Sequence, residues 1–234
     1  MNTASRRKMS YPPREKVLLV EGATEVRLIP YLMEANGVEW PDDKAQAPVQ
    51  IRDKDGFQNI VDRAVVEAEI LETSRRITGI ILDADQAFTE RWIDIRNCCL
   101  PYFPAVPEET TSDGLIVSNS DNQKLGIWIM PDNQSHGMLE AFLLQLVPGG
   151  EADPLLIYAR QSCQHAKANL DAPYKDTHVR KAEIHTWLAW QDEPGRQLHQ
   201  AVSEMILNPK SPAAEPLVSR VGRGLKHTDR SEEA

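Results

Sequence analysis

The stretch "KVLLVEGATE", residues 16–25, and its counterpart "ITGIILDAD", residues 77–85, decide how this chain is read. Each is a short apolar run that stops at carboxylates. The first ends at Glu21, with Glu25 following, and the second ends at Asp83 and Asp85. Short runs rich in branched side chains read as buried strands rather than helices. Gly22 turns the chain after the first strand, and Thr24 is the expected N-cap of a helix over 24–36 that stops before Gly37. Working outward, "PVQIRD" (48–53) is a second strand and Asp55–Gly56 a turn. Residues 57–75 read as a helix, with apolar residues at Ile60, Ala64, Val65, Ala68 and Leu71, and 87–100 as another. Strand and helix alternate, so the expected class is α/β, with a mostly parallel sheet flanked by helices.

After residue 100 the texture changes. Residues 101–124 are rich in Pro, Thr, Ser, Asp and Asn. Within and after them "GLIVS" (114–118) and "LGIWIM" (125–130) flank a turn-like segment, and are expected to form a hairpin or a pair of edge strands. Helical patterns follow at 137–146, 153–169, 178–190 and 196–207. The expected organisation is a flexible arm (1–15), one α/β domain with a helical C-terminal extension (16–209), and a disordered tail (210–234) rich in Pro, Ser and charge. No internal repeat is present.

The chain has 234 residues and is 41% hydrophobic, enough for a sizeable core. Its three cysteines, Cys98, Cys99 and Cys163, show no CxxC spacing. That argues against a disulfide framework or a structural zinc site and fits a reducing, cytoplasmic setting. No stretch approaches the ~20 apolar residues of a membrane span, and no signal peptide is expected. The net charge of −9 is unlike that of a protein that holds nucleic acid by bulk charge. A nucleic-acid ligand would therefore need a local site where cations offset the acids.

In an open parallel α/β sheet, ligands bind at the carboxyl ends of the strands. Glu21 closes the first strand, and Asp83 and Asp85 close the third. Side chains two apart on a strand share a face, so Asp83 and Asp85 are expected to point together. If the two strands are neighbours, Glu21 joins them, and Glu25 in the first helical turn reaches the same mouth. Clustered carboxylates repel unless a cation sits among them. Oxygen ligands without His or Cys suit Mg2+ or Mn2+. Acids at strand ends and helix starts also cap backbone amides, and each alone is explained that way.

An apolar strand ending in Glu-Gly, a helix, and a later strand ending in Asp-x-Asp resemble the TOPRIM domain of topoisomerases, bacterial primases, RNase-M5-like nucleases and OLD-type nucleases. The resemblance covers residues 16–130. It implies a TOPRIM-like (Rossmann-like) sheet in which Glu21, Asp83 and Asp85 bind Mg2+ and handle phosphodiester chemistry. "EGATE", with Glu25 four residues after Glu21, is closest to the OLD-type branch, which adds an acid on a later helix and a Lys near the domain's end. Here "GMLEAF" offers Glu140, and "HVRKAEIHTW" offers Lys181, beside Arg180 and His178. The run "GIWIMPDNQSHGMLEAFLL" is also similar to uncharacterised bacterial TOPRIM-like proteins.

The resemblance implies Mg2+- or Mn2+-dependent cleavage of DNA or RNA, as the effector of a bacterial defence system. Glu21, Asp83 and Asp85 would be the nearest ligands, Glu25 and Glu140 would complete a second metal, and Lys181 would stabilise the phosphate in the transition state. OLD-type proteins fuse this domain to an ATPase. No G-x-x-x-x-G-K-[ST] loop is present, so an ATPase would be a separate partner. The alternative is a catalytically weak TOPRIM-like binding or regulatory module working with that partner. A third class, a small-molecule phosphotransferase or phosphatase similar to the haloacid-dehalogenase type, shares the Asp-x-Asp strand end. That pattern has Thr or Val after the second Asp, where Gln86 stands here, and the Glu21 strand precedes. His136 reads as a solvated loop residue, Trp187 and Trp190 as core, and Cys98 and Cys99 as buried thiols. Ser118 and Ser135 have no His/Asp pattern beside them.

Overall fold

The computed structural model describes residues 14–225. Five strands form one sheet in the order β2-β1-β3-β5-β4: β1 (Lys16–Val20), β2 (Gln50–Asp53), β3 (Ile77–Asp83), β4 (Leu115–Ser118) and β5 (Lys124–Met130). β2, β1, β3 and β5 run parallel, and β4 is antiparallel to β5. The expected α/β class is what the chain forms. The hairpin reading of 114–130 is met as well. β5, however, is no edge strand, because it pairs with β3 along its whole length.

Alternation along the strands feeds two cores. Leu18 and Val20 of β1 face one side with Ile81, Trp128 and Met130. Val17 and Leu19 face the other with Ile80, Leu82, Ile127 and Ile129. A parallel sheet is buried on both faces, which is why its strands read as continuous apolar runs. Gly79 in β3 follows from that packing, since a Cβ there would lie 2.8 Å from Leu18 Cδ1.

The first face is covered by α1 (Ala23–Ala35), α5 (Leu139–Leu144), α6 (Pro154–Asn169), α7 (Val179–Leu188), α8 (Leu198–Ser203) and α9 (Glu215–Leu225). The second is covered by α2 (Phe57–Ile60), α3 (Arg63–Ile70) and α4 (Phe88–Cys99). The single helix expected over 57–75 is two. Asp62 breaks it, because its carboxylate accepts the Ala64 and Val65 amides and starts α3 afresh. Thr24 is not the cap of α1. Gly22 is, in extended conformation, so the helix begins at Ala23.

The disordered tail expected over 210–234 is corrected for its first part. Ala214 and Leu217 are buried, and α9 packs on the same core as β5 and α1. Glu215, Pro216 and Arg223 are exposed while Leu217 is buried, an amphipathic arrangement that a composition reading averages away. Residues 226–234 lie outside the described residues, as do residues 1–13 of the expected arm. The end of that arm is tied down: the Glu15 carbonyl accepts the Arg76 and Ile77 amides. Among the described residues no helix is long and apolar enough to cross a membrane.

Candidate functional site

β1 and β3 are neighbours, so their carboxyl ends lie side by side. Glu21 leaves β1 and reaches across, where its Oε1 accepts the Asp83 amide at 2.7 Å. Asp83 in turn accepts the amide of Leu139, the first residue of α5, at 2.9 Å. Each acid uses one oxygen to hold the backbone together. That part of the amide-capping reading is met. Oε2 of Glu21 and Oδ2 of Asp83 carry no protein hydrogen bond among the described residues.

Glu25 and Glu140, in the first turns of α1 and α5, are both buried. Lys181 of α7 donates to Glu140 at 3.0 Å with its side chain largely in solvent. The five carboxylates act on one another. Burial and the charges of Glu21 and Glu140 push Glu25 up to about 7, against the pull of its own backbone amide and Lys181. Burial also holds Glu21 above the usual carboxylate range, with the Asp85 charge adding to it and the Asp83 amide and Arg91 opposing. Asp83 is held well above that range by burial and then by Glu21, Glu25, Glu140 and Asp85. Glu25, Glu140 and Lys181 thus all reach the cluster.

Asp85 departs from the expected geometry. The strand ends at Asp83, so the two-residue alternation does not extend to it. Its backbone adopts φ 50°, in the left-handed region, fixed by two hydrogen bonds with Gly137, at 2.8 and 2.7 Å. Its carboxylate is paired with Arg91 of α4 at 2.6 Å. The guanidinium carbon of Arg91 lies over the Phe57 ring, 3.3 Å from its centroid. Sequence reading missed Arg91, because an arginine in a helix six residues after an acid belongs to no motif.

Among the described residues, no three carboxylate, thiol or imidazole groups are gathered as a ready cage for a metal ion. Asp85 is paired with Arg91 and Glu140 with Lys181, while Glu21 and Asp83 each accept a backbone amide. The donor set nevertheless suits a hard cation. It is all oxygen and has spare lone pairs on Glu21 and Asp83. Mg2+ asks for only one or two carboxylates and keeps several waters.

Other singled-out residues have structural places. Trp187 is buried and donates its Nε1–H to Asp153. Trp190 is not core; it is exposed and stacks on Tyr158. Cys98 and Cys99 are buried free thiols whose ionisation burial opposes. Arg180 pairs with Glu183 at 2.8 Å, and His178 is exposed at the end of a 3-10 turn. His136 is exposed, with Nδ1 3.4 Å from the Phe88 amide. Ser118 is exposed in β4, and Ser135 donates to Asp132.

Comparison with curated proteins and with solved structures finds no match. The profile of a family described as "Protein of unknown function (DUF3226)" matches residues 15–221. That span holds the whole sheet, all five carboxylates and Lys181, and the chain belongs to this family.

Proposed function

We propose that the chain is a Mg2+- or Mn2+-dependent hydrolase of phosphodiester bonds in DNA or RNA, acting through a TOPRIM-like carboxylate site as effector of a bacterial defence system. One observation carries the reading. Five carboxylates lie near the ends of two adjacent parallel strands, where burial first, and neighbouring acids after it, hold Glu21, Glu25 and Asp83 above the usual carboxylate range. Added positive charge would favour the ionised forms of these acids. Glu21, Asp83 and Asp85 would hold the cation, with Glu25 and Glu140 completing the set. When bound, the cation supplies Lewis-acid charge to a phosphoryl oxygen and lowers the pKa of water. Lys181, half exposed beside Glu140, would turn to the charge that builds on the phosphate. Arg91 steadies Asp85. The test is plasmid nicking with Mg2+ and with Mn2+, comparing wild type with Asp83→Ala and Glu21→Ala. Metal-dependent nicking lost in both variants supports the reading, and nicking that persists in them overturns it.

The Asp85–Arg91 ion pair favours a second reading. The site would be held short of its working arrangement, in a catalytically weak binding or regulatory module that a separate ATPase partner completes. On that reading the wild type alone does not nick, and its biological effect survives Asp83→Ala.

A further inference from the structure

A cavity of about 290 Å3 opens beside Glu140, between α1, α7 and the segment that leads into α8. The charge on its walls differs from that of the cluster it adjoins. Glu140 is its sole carboxylate, against Arg27, Lys181 and Arg196. Two of these cations are engaged, Lys181 by Glu140 and Arg196 by Glu193 and Glu204. Arg27 has no ion pair among the described residues; its one side-chain contact is a long one, 3.5 Å, to Gln197 Oε1. Its field is felt inside, since burial and the Arg27 charge together hold His199 below its ordinary value. Thr24 and Gln197 add neutral donors to the lining.

On the other side of α7 a second cavity, about 320 Å3, opens beside Asp85 and has the opposite character. Asp85, Asp176 and Glu183 line it, with Arg180 as its one arginine. The carboxylate cluster therefore has a cationic flank and an acidic flank, divided by α7. An anion fits only the first. Glu140, a member of the cluster, lines the same cavity as Arg27, so an anion bound there lies beside the cluster.

We infer that the cationic cavity holds a phosphate group of the nucleic-acid strand beside the bond to be cleaved, with Arg27 as its main contact. The inference rests on the hydrolase reading and deepens it. It supplies a local anion site on a chain of net charge −9 and gives the bound strand a direction, entering from the Arg27 side. The volume lies near the lower bound for ligand pockets, enough for a phosphate with part of its sugar and not for a duplex.

The test is fluorescence anisotropy with a fluorescein-labelled single-stranded twelve-nucleotide oligothymidylate in EDTA, where the metal site plays no part. Wild type is compared with Arg27→Ala, Arg27→Lys and Asp83→Asn. Arg27 is exposed on a helix, so alanine there leaves folding intact. Arg27→Ala is expected to weaken binding roughly three- to tenfold and to lower the salt slope by about 0.7, one phosphate contact on a single strand. Arg27→Lys retains most of the affinity, and Asp83→Asn binds no worse than wild type. Inorganic phosphate competes with the oligonucleotide on wild type and not on Arg27→Ala. Equal affinity and slope for wild type and Arg27→Ala overturns the inference, as does a wild type that fails to bind. Binding of inorganic phosphate without the oligonucleotide overturns the assignment to a strand. Plasmid nicking reads the hydrolase proposal separately: nicking with no role for Arg27 sinks only this inference, and Arg27-dependent binding without nicking sinks only the hydrolase.

Discussion

Along the sheet edge formed by β2, Arg52, Lys54 and Arg75 close around Glu69 and Glu72. At the ends of β1 and β3, Glu21, Glu25, Asp83, Asp85 and Glu140 crowd around Lys181 and Arg91. Both clusters are largely buried. In the first, burial pushes Glu69 up, but hydrogen bonds and charges from Lys54 and Arg52 outweigh it and hold the carboxyl below its usual range. In the second, burial pushes Glu25 and Asp83 the same way and neighbouring acids add to it. Desolvation is common to both clusters, and counter-charge separates them. The first is complete within the protein. On the proposed reading, a cation would complete the second.

The largest effect that separates the two is expected at Arg75. Arg75 is 2% exposed and binds Glu69, Glu72 and the Arg14 carbonyl. Arg75→Ala empties a buried guanidinium site, leaves the Glu69 and Arg14 carbonyls without their donor and strips half-buried Glu72 of its closest cation, and is expected to cost about 3–5 kcal/mol in urea denaturation. A loss under about 1 kcal/mol would break the claim that this cluster is a structural clasp.

The second effect has the opposite sign. Glu25 holds its proton more tightly when folded, about 7, than at its ordinary 4.5. Its contribution to stability is thus fully present below about pH 4.5 and is lost as pH rises through about 7. Without metal, the protein is expected to lose stability from this group over that window, with Asp83 acting in the same direction. Glu25→Gln should stabilise at pH 8 by up to about 3 kcal/mol and leave stability at pH 4.5 unchanged, read by denaturation at the two pH values. A variant less stable than wild type at pH 8 would show that Glu25 is satisfied after all.

Gly137 comes next. At φ 145°, with a Cβ there meeting Ala141 Cβ at 2.9 Å, Gly137→Ala is expected to cost about 1–3 kcal/mol. Because Gly137 anchors the Asp85 backbone, activity should fall further than stability explains, checked by nicking at a temperature where the variant is fully folded. The smallest stability effect belongs to Lys181→Met. Its ion pair is half exposed at the lysine and buried at Glu140, so denaturation is expected to move by only about 1 kcal/mol while nicking collapses.

The sheet was legible because its strands are apolar runs between turn residues, and the carboxylates because they sit where parallel strands end. Glu21 and Asp83 needed only the pairing of β1 with β3. Asp85 was legible as a member and not as a geometry, since its left-handed backbone depends on Gly137, far away in sequence. Arg91, Arg27 and Arg75 were illegible for the same reason. A helical arginine looks the same in sequence whether it caps a site, lines a cavity or is swallowed by the core. Helix α9 was missed because its polar side dominates the composition while Leu217 does the packing.

The most direct measurement is the melting temperature at pH 8 in EDTA, in Mg2+ and in Mn2+, for wild type and Asp83→Asn. If a cation completes the acid cluster, saturating metal raises the wild-type melting temperature by about 5–10 °C. Asp83→Asn, already relieved of one charge, then melts above wild type in EDTA and responds little to metal. A wild type indifferent to both metals, or an Asp83→Asn that responds equally, would contradict the claim and leave the cluster an acidic surface with no cation of its own.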